Sequence, residues 1–480
     1  MKRVKRLSIL TLLFFFFLSI ASPSLANAFA LKRPLFSFPV IVRVGDAFKI
    51  ECEAEEETKD WQVFLSHEYR LTSLEVKQAK YVKERALWDI KVTVPKGLPE
   101  EIYDLMISSS SGEDTQPRAV KVIFNFKKEF YFVHLTDTHI GCSGQFVSKG
   151  FPDSSAILKK IVEEVNLINP EFVLITGDLI HCAEDVGRIL LNYKAPHMTQ
   201  TDEGIKAIME KEYNDFLDII SKFKVPVFII PGNHDMVGLE NPLAKEYYEK
   251  VIGPRYYSFD YSDYHFTGLD NSNMMEATPI CYGKEALADD LDKEQLIFLE
   301  NDLKKNQDKR LRVIFFHVPI AKTKSQFKAL AEKYNVDLAL CGHLHRDHTV
   351  SKTKPIWIET KSSLDFGGYR LIRLKDDKIA SYGGYKGDRK ASLWAYNLDL
   401  SYFPQNNGKF DQITAAITNK TEEYFENALL RFIMPRAGKY QVTGGNLSQE
   451  VICKDKKICY VEVNIPKEGT VKVTIRRLVD

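Results

Sequence analysis

Five short clusters along the 480-residue chain carry residue types that bind metal ions. They are Asp137-Thr138-His139, Gly177-Asp178, Gly232-Asn233-His234-Asp235, the single His317, and Gly342-His343-Leu344-His345. Apart from His234, the set supplies Asp137, Asp178, Asn233, His139, His317, His343 and His345, enough for two adjacent cations with one carboxylate shared. Hard oxygens mixed with imidazoles suit manganese, iron, zinc or cobalt, and no thiolate is needed. Two such ions ~3.5–4 Å apart hold a hydroxide between them and clamp a phosphoryl group for in-line displacement. Taken singly each cluster is weak, because short pairs such as G-D recur in many chains.

The elements that must position these residues give the set its force. Apolar runs at 130–135, 172–176, 225–230, 312–316 and 336–341 read as buried strands, and each runs straight into one cluster. Between them, 156–162 and 295–300 place apolar residues at helical spacing. The expected core is an α/β layered domain, whose strands present ligands at their carboxyl ends. A hairpin with arms at 256–259 and 265–269 interrupts the alternation. On either side the rhythm is period-2. Residues 30–126 read as an antiparallel β-sandwich with Trp61 and Trp88 in its core, and the chain after Tyr385 reads as a second small sandwich. The expected organisation is a leader over 1–28, an N-terminal β domain over 29–127, the central domain over 128–386 and a C-terminal β domain over 387–480.

In this ordered set the chain resembles the calcineurin-like metallophosphoesterase superfamily, with the similarity running over roughly Glu129 to Tyr385. The resemblance implies a β-sandwich of two mixed sheets flanked by helices and a metal-dependent phosphoric ester hydrolase. It implies one metal on Asp137, His139, Asp178 and His345, and a second on Asn233, His317 and His343 with Asp178 bridging. A metal-bridging hydroxide then attacks a phosphomonoester or phosphodiester. His234 corresponds to the histidine that contacts the phosphate and assists the leaving group. One departure matters: purple acid phosphatases carry a ligand tyrosine three residues after the Gly-Asp aspartate, where this chain has His181. An Fe(III) charge-transfer site is therefore disfavoured, and His181 reads as a donor behind the ligands, a substrate contact or a polar loop residue. The Arg-bearing extension of the serine/threonine phosphatase branch is absent from Gly177 to His181. The segment 183–224, with Tyr193, His197 and Asp202, is either a pocket-shaping insertion or ordinary surface. The competing class is a surface-binding protein with two β modules and an inactive centre; the complete ligand set argues against it.

Composition narrows the partners. Without the first 28 residues, which hold Lys2, Arg3, Lys5 and Arg6 and no acid, 62 basic side chains face 65 acidic ones. That balance gives no reason to expect bulk nucleic-acid binding. The basic start, the apolar run over 7–20 and Ala26-Asn27-Ala28 follow the order of a secretory signal, and the run is shorter than the ~20 residues that span a bilayer. The mature chain is expected to have no transmembrane span and to be periplasmic or extracellular. Export permits disulfides, with Cys453 to Cys459 and Cys142 to Cys182 as the local pairings considered. N-terminal sequencing of protein recovered from the exported fraction is expected to start at Phe29; a chain still beginning at Met1 there would contradict cleavage.

Overall fold

The computed structural model describes residues 29–478 except 69, 144–146, 148–149, 182–201, 237–240, 273–287, 289, 321–324, 352 and 382–392, with the backbone alone at 202–205, 241–243 and 365–366. The leader, Cys182, Tyr193 and His197 therefore lie outside the described residues.

The first strands are β1 (Ala30–Arg33), β2 (Val40–Arg43), β3 (Ala47–Glu53), β4 (Gln62–His67), β5 (Arg70–Val82), β6 (Leu87–Thr93), β7 (Glu101–Ser109) and β8 (Gly112–Ile123). They form one eight-stranded sheet in the order β1-β3-β6-β5-β4-β7-β8-β2. The long β5 pairs with β4 at one end and β6 at the other, so two halves close over a common core containing Ile50, Ile90, Leu65 and Tyr103. Trp88 is buried in that core, with Trp61 packed on its ring. The expectation of an antiparallel module needs correction at one edge, where β2 and β8 run parallel. This follows from the excursion after β1, since residues 34–39 leave the sheet to dock elsewhere. Phe38 stacks on Tyr257 at 4.2 Å, and the Ser37 carbonyl accepts from Ile229 N at 3.0 Å.

The central domain continues with β9 (Phe130–Leu135), α1 (Ser154–Ile168), β10 (Val173–Thr176), α2 (Asp202–Ile220), β11 (Val227–Ile230) and α3 (Asn241–Val251). It then runs through β12 (Tyr257–Tyr261), β13 (Tyr264–Gly268), α4 (Lys293–Lys305), β14 (Leu311–Phe315), α5 (Gln326–Lys333) and β15 (Leu338–Cys341). The last elements are β16 (His348–Ser351), β17 (Ile356–Glu359), α6 (Ser363–Phe366), β18 (Gly368–Lys375), β19 (Lys378–Ser381) and β20 (Leu393–Trp394). Two mixed sheets result, β11-β10-β9-β18-β19 with β20 on β18, and β12-β13-β14-β15-β17-β16. The apolar runs explain why both faces of the first sheet are covered. Phe132, Leu174, Phe228 and Ile230 face the second sheet, whereas Val133, Val173, Ile175 and Ile229 face α1 and α2 through Ile161, Val165, Tyr213 and Phe216. Aromatic rings fill the seam between the sheets. Phe172 stacks on Phe132 at 5.1 Å and meets Phe266 edge-on, while Phe228 and Phe259 stack at 3.6 Å.

The C-terminal strands are β21 (Leu398–Phe403), β22 (Gln412–Asn419), β23 (Phe425–Pro435), β24 (Lys439–Thr443), β25 (Asn446–Cys453), β26 (Lys456–Ile465) and β27 (Gly469–Leu478). Sheets β21-β22-β27-β24 and β23-β26-β25 enclose Ile413, Ile417, Phe432, Val461 and Val473, in a core continuous with that of α1. The suggested Cys453 to Cys459 bridge is not formed: the register sets Cys453 opposite Lys456 and Cys459 opposite Glu450, so the thiols occupy separate rungs and are free. Among the described residues, no helix is long and apolar enough to cross a membrane.

An ionic bridge centred on a buried histidine ties α4 to the hairpin. His265 on β13 bonds Asp260 at 2.7 Å through Nδ1 and Asp302 of α4 at 2.8 Å through Nε2. Burial opposes charge on this ring, but the two carboxylates outweigh it and raise the pKa. The stabilisation is therefore complete below the unfolded-state value of about 6.5 and is lost as pH rises through the folded-state value. His265→Gln is expected to lower stability by about 1–3 kcal/mol near pH ~5.5, with the gap shrinking at alkaline pH in urea titrations. A gap that does not vary with pH would reject this account.

Candidate metal centre

The two sheets deliver their strand ends to one place. β9 leads into Asp137 and His139, β10 into Asp178 and β11 into Asn233 and His234, all from the first sheet; β14 leads into His317 and β15 into His343 and His345 from the second. To converge, the chain turns sharply at the strand ends, and Asp137, His139, Asp178, His343 and His345 all adopt left-handed backbone conformations, with φ from 44° to 68°. Such conformations cost roughly 1–3 kcal/mol each and persist where the surroundings impose them. The glycines before the ligands permit close approach. A Cβ on Gly177 would stand 2.3 Å from Gly232 N, and one on Gly342 would stand 1.9 Å from Thr136 Oγ1.

All seven expected ligands and His234 meet here. Asp137, His139 and His345 form one group of potential ligand atoms within 4.8 Å of one another, and Asp178, His317 and His343 form another. His345 Nε2 is 3.3 Å from both Asp137 Oδ1 and His139 Nε2. Asp178, a member of the second group, also reaches the first, its Oδ2 3.1 Å from His317 Nε2 and 3.6 Å from His139 Nε2. Asn233 Oδ1 lies 3.0 Å from His317 Nε2, and His234 Nε2 is 3.9 Å from Asp178. Backbone amides aim the carboxylates: His234 N donates to Asp178 Oδ1 at 2.8 Å, and His343 N to Asp137 at 3.1 Å. Thr176 O accepts from His317 Nδ1 at 2.6 Å, which leaves Nε2 directed into the site.

The electrostatics match a cation site. Burial pushes the Asp137 and Asp178 carboxyls up, yet the surrounding histidines, His345 for Asp137 and His317 for Asp178, outweigh it and hold both below the usual range. Burial keeps His139 neutral, pulls His343 down to about 4 and opposes charge on His317, which the Asp178 carboxylate nevertheless raises to about 9. His139 Nδ1, His234 Nδ1 and His343 Nε2 are buried without a hydrogen-bond partner. Buried imidazole nitrogens beside two ionised carboxylates suit divalent cations, so the donor set fits the metals that the sequence implied.

Other contributors were not assigned roles from sequence. Asp235 accepts from Gly232 N at 2.7 Å, from Leu179 N at 3.2 Å and from Tyr213 Oη at 3.2 Å, joining the second and third ligand loops. Burial and the Asp178 charge push its carboxyl up to about 7. Beneath the site, Arg370 on β18 is fully buried and bonds Asp347 at 2.8 Å and Thr360 Oγ1 at 3.1 Å. His134 continues the chain of contacts from Thr360 to Thr176. The signal available was a lone imidazole inside an otherwise apolar strand for His134, whereas Arg370 shares its strand with Arg373 and Lys375.

Residues 130–347 match the family model of calcineurin-like phosphoesterases. The central domain belongs to that family. It is accordingly the domain of a metal-dependent phosphoric ester hydrolase. A probable glycerophosphodiester phosphodiesterase of Arcobacter nitrofigilis is 28% identical over 298 residues, 58% of this chain and 94% of the relative. A probable cyclic nucleotide phosphodiesterase of Coxiella burnetii is 27% identical over 191 residues, 37% of this chain and 70% of the relative. Among solved structures, a purple acid phosphatase from yellow lupin seeds aligns with a TM-score of 0.39 at 11% identity, over 78% of this chain and 70% of its own. A dimetal phosphatase from Danio rerio aligns with a TM-score of 0.39 at 13% identity, over 52% of this chain and 94% of its own.

The reach of Asp178 to ligand atoms of both groups sets an expectation for metal loading. Asp178→Asn removes a charge that serves both groups, so elemental analysis is expected to find markedly less bound metal than in the unaltered protein. Undiminished loading would exclude a shared role for this carboxylate.

Proposed function

We propose that the protein is an exported phosphoesterase acting through two cations, one held by Asp137, His139 and His345 and the other by Asn233, His317 and His343, with Asp178 serving both. Its preferred substrates are phosphodiesters. One observation carries the reading: a fully buried carboxylate stands within 3.6 Å of ligand atoms from both groups, with His234 beside it. Two adjacent cations supply an activated water and neutralise phosphoryl oxygens.

The chain's own residues provide orientation and proton handling. Thr176 fixes the face that His317 presents, and the amides of His234 and His343 fix the carboxylates. His234 has a partly exposed side chain, unlike the wholly buried His317. It contacts the phosphoryl group, where an imidazole stabilises developing charge or passes a proton to the departing alcohol. Preference for diesters is supported by the relatives from Arcobacter nitrofigilis and Coxiella burnetii, whose names specify glycerophosphodiesters and cyclic nucleotides. Export is supported by the order of charge, apolar run and small residues over 1–28.

Purified protein loaded with manganese, zinc, iron or cobalt is expected to hold two ions per chain. It should hydrolyse bis(p-nitrophenyl) phosphate faster than p-nitrophenyl phosphate, and chelation should abolish both activities. His234→Ala is expected to retain both ions while kcat falls by ~10²–10⁴. Two bound ions with no turnover of either ester would instead favour a binding protein with an inactive centre.

A further inference from the structure

Besides the two groups that contain the aspartates, a third group of ligand-type atoms lies within 4.8 Å of one another, formed by His139, His181 and His234. It has no carboxylate. His139 is already turned toward the first group, its Nε2 3.3 Å from His345 Nε2 and 3.9 Å from Asp137 Oδ1. That leaves His181 and His234 as a pair of imidazoles flanking it. Their rings lie 6.0 Å apart and within 19° of parallel, and each meets the His139 ring edge-on, at 5.5 Å for His181 and 4.5 Å for His234.

The backbone under His181 is firmly held. It follows the parallel bridge between Ile140 and Ile180, which prolongs the pairing of β9 with β10. Its amide donates to Ile140 O at 2.9 Å and to Glu212 Oε2 at 3.1 Å. Room for the Glu212 carboxylate comes from Gly141, where φ is +104° and an added Cβ would lie 2.0 Å from Glu212 Oε1. A buried polar ring on so rigid a support, beside a ring assigned to the phosphate, suits a preorganised contact better than a solvated loop residue.

We propose that His181 is a second imidazole contact for the phosphoryl group, acting with His234 beside His139. The inference rests on the phosphoesterase reading above. An imidazole presents at least one N–H donor, so the pair supplies at least two donors to the oxygens of a tetrahedral phosphoryl oxyanion. His181 is thereby a substrate contact and not a metal ligand.

The test uses the metal-loaded full chain with inorganic phosphate as the probe. His181→Leu removes the donor, and His181→Gln offers an amide N–H in its place. Both variants are expected to retain two ions by elemental analysis. In calorimetric titration, His181→Leu should bind phosphate about tenfold or more weakly, a loss typical of one hydrogen bond to a charged group, and His181→Gln should recover part of it. KM for bis(p-nitrophenyl) phosphate should rise in parallel. Loss of an ion from both variants would overturn the proposal by placing His181 among the ligands. Phosphate affinity within twofold of the unaltered protein, with two ions bound, would overturn it by removing the contact. An unaltered protein that binds two ions but hydrolyses neither ester refutes the phosphoesterase reading itself, a result distinct from either of these.

Discussion

The ionised carboxylate of Asp178, taken wholly out of water at the end of β10, is the constraint on which the rest of the site depends. A buried anion is costly unless compensated, and here the compensation comes from several elements at once. His317 of the second sheet, His139 from the end of β9 and the His234 amide after β11 all point at it. Each requires a different strand end to arrive within a few Å of the others. The sharp turns at five ligand positions and the tight approach of Gly177 to Gly232 follow from that requirement.

Holding ligands on separate loops demands a second level of organisation. Asp235 links the loops after β10 and β11, and Tyr213 of α2 donates to the same carboxyl. On the opposite side, Arg370 binds Asp347, two residues beyond His345, while the Lys361 ammonium donates to the His345 carbonyl at 2.7 Å. The contacts from Arg370 through Thr360, His134 and Thr176 then reach His317. Their effect is to limit the freedom of side chains whose value depends on sub-Å placement.

The flanking domains brace this arrangement away from the strand ends. Phe38 enters the aromatic seam, and Arg118 donates to carbonyls of Ser221, Phe223 and Val225 at the entry to β11. The C-terminal sandwich shares a core with α1, and buried Glu164 of that helix accepts from Tyr369 Oη and from the amides of Tyr396 and Leu398. Tyr460 Oη in turn donates to Glu101 at 2.5 Å, joining the two β domains. The three parts are thus tied together through buried polar bonds and continuous apolar packing.

Much of this was legible in the residues themselves. Apolar runs ending in Asp, Asn or His declared buried strands with a ligand at each carboxyl end, because local pattern determines which segments can be buried on both faces. Period-2 alternation likewise marked the two β domains. What sequence alone did not separate was the partition of the runs between sheets, since 130–135 and 312–316 look alike as patterns while Phe132 and Phe315 belong to opposing layers. The parallel edge of β2 and the distinct rungs of Cys453 and Cys459 were equally hidden, because register is set by partners remote in the chain. So were Arg370 and His134, which in isolation are polar interruptions of strands. The sequence by itself determined the chemical types available and the segments that carry them; only the tertiary structure decided which atoms face each other, because Asp137 and His345 are separated by more than two hundred residues and only the packing of two sheets brings their atoms to 3.3 Å.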